Sequence, residues 1–194
     1  HKLYMKKTIS IILFILIPLK SFAQHTFSIV AIDSITKEVG SAGATCGDAV
    51  LWPGTPGAAL ISDIIPGLGA IHTQSYWNEQ NQNQAHEKLI EGYTAEEIID
   101  WLINNDAENN SSIRQYGAIT LINDSIKASA YTGENCFDYK NHIIGDHYAI
   151  QGNILLGQSI LDSMESRFLN TSGSLSEKLM ASLQGAKVIG ADTR

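Results

Sequence analysis

Cysteine, proline and methionine are scarce in these 194 residues: two, four and three respectively. Two cysteines cannot build the multi-bridge framework of a small disulfide scaffold. They allow either a single bridge, Cys46 to Cys136, or two buried thiols. With so little proline, no stiff linker divides the chain. A phosphate-binding loop, a dinucleotide fingerprint and a Ser-His-Asp motif are all missing. The histidines are scattered, with no pair at helical or finger-like spacing. No metal site and no cofactor are therefore expected.

Positive charge is scarce as well. Four of the 13 Lys and Arg lie in residues 1–23, which hold no Asp or Glu. Residues 24–194 thus carry nine basic side chains against 20 acidic ones, a balance of −11. That argues against nucleic acid or an anionic membrane surface as a partner. The one long apolar run, residues 9–19, is about eleven residues, too short for an ordinary membrane span. Lys6 and Lys7 precede it and Ser21-Phe22-Ala23 follows. Residues 5–23 therefore read as a secretory signal cut after Ala23. Residues 1–4 precede the apparent start Met5 and are set aside as leader. The expectation is a secreted or periplasmic domain over residues 24–194, with no stable membrane anchor. A small-molecule or peptide-like ligand is the open partner class, and no oligomeric state follows.

About 170 residues make one domain with a real core. Residues 26–32 alternate, with Phe27, Ile29 and Ala31 on one side, and predict a strand; residues 39–46 return as its hairpin partner. Residues 47–66 are rich in Gly and Pro and predict a loop excursion. Residues 69–75 predict a third strand, and a helix ends near Glu91 after a polar run from Trp77 to Gln84. Thr94 and Glu97 form a capping box before a helix with Ile98, Ile99, Leu102 and Ile103 on one face. Residues 116–122 and 126–132 flank Asn123-Asp124, a hairpin signal. Residues 147–154 predict another strand. Two helices follow, one marked by Ile160, Leu161, Met164 and Phe168, the other capped by Ser174 and Glu177. Hairpins rather than βαβ units dominate. The expected class is α+β, with antiparallel sheets and a segregated helix layer, in the form of a four-layer αββα sandwich.

Several motifs fall in one order along the chain. They are His25-Thr26-Phe27-Ser28-Ile29-Val30-Ala31, Gly69-Ala70-Ile71-His72-Thr73-Gln74-Ser75-Tyr76, and Tyr131-Thr132-Gly133 with Cys136. His142 with Gly145, the run from Tyr148 to Leu155, and Gly190-Ala191-Asp192-Thr193-Arg194 complete the set. In this order they resemble the domain-of-unknown-function 1028 family, placed in the N-terminal-nucleophile (Ntn) hydrolase-like superfamily. The resemblance implies an Ntn αββα sandwich and no particular activity. Tyr139 stands where the family often has Trp, and Ala191 where it usually has Gly. The family normally continues past the position of Arg194 into another strand, so the C-terminal strand is expected to be missing.

An Ntn hydrolase uses its first side chain as nucleophile and its own α-amino group, with a pKa near 8, as base. The cut after Ala23 leaves Gln24 first, so Thr26 acts this way only after two more residues are trimmed. Otherwise Thr26 is an ordinary strand residue. Alternation points Thr73 and Ser75 to one face and Gln74 to the other. These three could line a pocket or bond across the sheet. His72 is either a general base or a structural residue. Gln151-Gly152-Asn153 interrupts an apolar strand, where Gly admits close approach and two amides supply donors and acceptors. His142 and Asp192 could join them. The site expected is Thr26 with Gln151 and Asn153 at one concavity, and Thr73 or Ser75 on its wall. Two functions fit: an exported Ntn-type amidohydrolase of the peptidase-like kind, or a non-catalytic binding or structural module that keeps the fold.

Overall fold

The computed structural model describes residues 26–45 and 57–188. Strand β1, Thr26–Ile32, is flanked by antiparallel β2, Val39–Thr45, and by β8, Tyr148–Asn153. β7, Asn141–Gly145, completes a four-stranded sheet in the order β2-β1-β8-β7. β3, Ser62–Ile65, β4, Gly69–Ser75, β5, Arg114–Ile122, and β6, Ser125–Thr132, form a second antiparallel sheet in chain order. Asn123 and Asp124 adopt positive φ of 48° and 62°, as a tight hairpin turn between β5 and β6 requires. The helices are α1, Glu79–Ile90, α2, Ala95–Asn104, α3, Gln158–Asn170, and α4, Leu175–Gly185. The chain is thus a mixed α+β protein with two antiparallel sheets and four helices among the described residues.

Period-2 alternation sorts the strand side chains. Ile29, Ala31, Tyr148 and Ile150 meet Ile160, Leu161 and Met164 of α3 and Leu175 and Leu179 of α4. Ile71, Tyr116 and Ala118 meet Ala85 and Leu89 of α1 and Ile98, Ile99 and Leu102 of α2. The opposite faces of the two sheets meet each other through Val30, Ile32 and Ala149 on one side and Ala70 and Ile119 on the other. Each fully buried Ile or Leu contributes about 1.5–3 kcal/mol. Both expected capping boxes are present, at Thr94–Glu97 and Ser174–Glu177.

β3 and β7 extend the predicted set. α1 also begins earlier than its apolar residues suggest. Asn78 accepts a hydrogen bond from the Asn81 amide and starts the helix inside the polar run. Beneath α1, the Arg114 guanidinium bonds Asp106 at 2.8 Å and Glu108 at 2.6 Å, and Asn81 donates to Asp106 at 2.6 Å. This ion cluster sits on the helix side of β5 and ties the loop after α2 to the sheet. No helix among the described residues is long and apolar enough to cross a membrane.

Candidate functional site

The space between the sheets changes character along β1. At the Ile32 end it is apolar. At the Thr26 end the side chains facing inward are Ser28 and Thr26 from β1, Gln151 and Asn153 from β8, Gln74 and His72 from β4, and Gln115 from β5. All are at most 1% exposed. Two cross-strand rungs carry much of this layer. Ser28, Gln151 and His142 lie side by side in the first sheet. Gln74, Gln115 and Thr132 lie side by side in the second.

Hydrogen bonds join the rungs face to face. Ser28 Oγ donates to Gln74 Oε1 at 2.6 Å and accepts from Gln151 Nε2 at 2.6 Å. Gln115 is the hub. Its Oε1 accepts from Gln74 Nε2 at 2.8 Å and Asn153 Nδ2 at 3.0 Å. Its Nε2 shares two N–H groups among Thr132 Oγ1, the Gly152 carbonyl and the Asn141 carbonyl. Thr132 Oγ1 lies 2.9 Å from His142 Nδ1. Every bonded group here is a neutral amide, hydroxyl, carbonyl or imidazole. Burial drives His72 down to about 3 and lowers His142 as well, so both imidazoles are neutral at pH 7. Gln151 Oε1 and Asn153 Oδ1 are buried without a hydrogen-bond partner. Two residues that end or follow site strands take left-handed backbone, Ser75 at φ 70° and Ile154 at φ 56°, strain that clusters at functional sites.

Gly117 makes this layer possible. A Cβ there would stand 2.0 Å from Gln151 Oε1. Gln151 is held by Ser28, so its amide has little room to yield. Gly117→Ala is expected to cost about 1–3 kcal/mol by overpacking. Urea denaturation checks this, and a loss within error of zero would mean that Gln151 moves freely.

Thr26 is the first residue of β1, opposite Asn153 on one side and Thr45 on the other, and its hydroxyl donates to Thr45 Oγ1 at 3.0 Å. Thr26, Gln151, Asn153, Gln74 and His142 therefore belong to one layer. One expectation is corrected. Thr73 and Ser75 do not wall it: they pair with Tyr116 and Arg114, whose side chains face the helices. The strand alternates as predicted, but Gln74, not its neighbours, points inward. A cavity of about 500 Å³ lies at the other end of β1, among Ile32, Asp33, Tyr148, Phe168, Leu175 and Lys178. Asp192 and Cys46 lie outside the described residues. Cys136 is a free, buried thiol whose Sγ donates to the Arg114 carbonyl.

Ser28, Gln115 and Thr132 are layer residues outside the expected site set. Alternation from Thr26 points to Ser28. Gln115 precedes the residue at which β5 was expected to begin. No group of three or more His, Cys, Asp or Glu among the described residues is placed to hold a metal.

Residues 26–194 match the model of a family described as a family of unknown function, DUF1028. The fold is similar to the crystal structure of a DUF1028 protein from Silicibacter pomeroyi. The TM-score is 0.72 at 24% identity, over 84% of this chain and 70% of that one. No curated protein matches the chain.

Proposed function

This chain belongs to the DUF1028 family, and we propose that it is an exported amidohydrolase built on a four-layer Ntn-hydrolase-like αββα sandwich. The observation that carries the reading is the place of Thr26. Its hydroxyl sits at the head of a central strand, in register with Asn153 and beside a buried layer of neutral amides. Processing that begins the chain at Thr26 would supply an α-amino group, with a pKa near 8, within reach of that hydroxyl. The unpartnered side-chain oxygens of Asn153 and Gln151 then accept from N–H groups of the substrate and orient its scissile amide. A neutral layer suits a neutral amide better than an ion, whose desolvation it would not offset.

N-terminal sequencing of the exported protein, with turnover of a panel of acyl amino-acid p-nitroanilides, tests this. The expected mature start is Thr26. Thr26→Ala should lower turnover at least about a thousandfold while the unfolding transition persists. A chain that starts at Gln24, and whose turnover is unchanged by Thr26→Ala, would end the proposal.

A second reading, a binding module without catalysis, draws on one fact: Thr26 is fully buried. It predicts a mature start upstream of Thr26 and no turnover.

A further inference from the structure

We propose that Thr132 and His142 form a hydroxyl–imidazole nucleophile–base pair that accepts an uncharged acyl group from small activated esters or amides. The pair needs no free N-terminus, so it stands apart from the Thr26 reading.

Gln115 Oε1 accepts from Gln74 and from Asn153, which fixes the way its amide faces. Its Nε2 then faces Thr132 Oγ1, to which it donates at 2.9 Å, together with the Gly152 and Asn141 carbonyls. The Thr132 hydroxyl accepts that bond and keeps its own proton. With the imidazole as the Nε2–H tautomer, that proton points at the lone pair of His142 Nδ1, 2.9 Å away. A nucleophile, a base in reach and a third group that orients the nucleophile are what hydroxyl activation needs.

Ser28, Gln74, Gln115, Gln151 and Asn153 are sealed from solvent. Thr132 and His142 are half-buried, on β6 and β7, which end the two sheets among the described residues and lie side by side. A small acyl donor can therefore meet the layer here. The imidazole is kept in its base form by burial, and no charged neighbour contributes.

In the step proposed, Thr132 Oγ attacks the acyl carbon and His142 Nδ1 takes the hydroxyl proton. The bond to the leaving group breaks, and the leaving group takes that proton from His142. Water, deprotonated by the same nitrogen, then cleaves the threonyl ester. The acid is released and the hydroxyl restored.

The test treats the full chain with p-nitrophenyl acetate, followed by peptide mapping. A burst of p-nitrophenolate and an acetyl group on Thr132 are expected. Thr132→Ser should keep the burst, and Thr132→Ala should lower its rate at least about a hundredfold. His142→Asn offers an amide near the Nδ1 position but no base, and should lose the burst while the thermal midpoint stays near that of the parent. The burst rate should be level around pH 7 and fall at a pH below the ordinary imidazole value of 6.5. A merely structural hydrogen bond would give none of these. Absence of a burst, or acetyl on Thr26, Cys136 or a lysine with the burst unchanged in His142→Asn, would overturn the proposal. An adduct on Thr26 would do so while favouring the Thr26 reading.

Discussion

Replacing Asp106 by alanine should lower the unfolding free energy by about 3–5 kcal/mol, because it strands a buried cation. Both Asp106 and Arg114 side chains are 2% exposed. Asp106 accepts from Arg114 Nε, Asn81 Nδ2 and the Glu108 and Asn110 amides, so it closes its own loop as well as the ion pair. Glu108 also reaches Arg114 but is 61% exposed. Water can replace it there, and Glu108→Ala should cost under about 1 kcal/mol.

The same residue sets part of the acid limb. Burial pushes the Asp106 carboxyl up, but bonds from Arg114, Asn110, Asn81 and Glu108 outweigh it and hold the group at about 2, against an ordinary 3.8. A depressed carboxylate stabilises the fold above its unfolded value, and that contribution is lost as pH falls toward the folded value. Roughly 2 kcal/mol should disappear between about pH 5 and pH 2 in the parent and be absent in Asp106→Ala. Urea titrations across that window read both effects. A loss under about 1 kcal/mol at pH 7 would show that water reaches the Arg114 guanidinium.

What the sequence disclosed was local. β1 was legible because its alternation spans seven residues, and α2 and α4 because each opens with a capping box, a signal contained within four residues. β7 was not, since five residues containing adjacent Ile143 and Ile144 break the period that marks a half-buried strand. The start of α1 was hidden by Asn and Gln, which carry no apolar stripe. For the site, alternation separated Gln74 from Thr73 and Ser75 correctly. Which of those faces looks inward depends on where the other sheet packs, and β4 alone does not contain that information. Gln115 escaped for the same reason. Its partners Thr132 and Gln74 are 17 and 41 residues away in the chain, so only tertiary pairing marks it as central.

That centrality sets the other large effect. Gln115→Leu should cost about 4 kcal/mol or more, a large fraction of a domain's usual stability of about 5–15 kcal/mol. Gln115 is fully buried and is the shared partner of Gln74, Asn153, Thr132 and the Gly152 and Asn141 carbonyls. Leucine fills similar space but leaves Gln74, Asn153 and the Gly152 carbonyl without that partner in a buried layer. Each orphaned polar group costs about 1–3 kcal/mol, partly relieved by rearrangement. The cost comes from the stranded partners rather than from the lost bonds themselves, which makes the prediction specific. Removing a partner together with the hub should then recover part of the loss. Gln74→Leu combined with Gln115→Leu should be less destabilising than the two single losses added, by about 1 kcal/mol or more. Urea denaturation of the two single variants and the double closes the cycle. Additivity to within about 0.5 kcal/mol would mean that the amides act as independent pairs and that Gln115 is no hub.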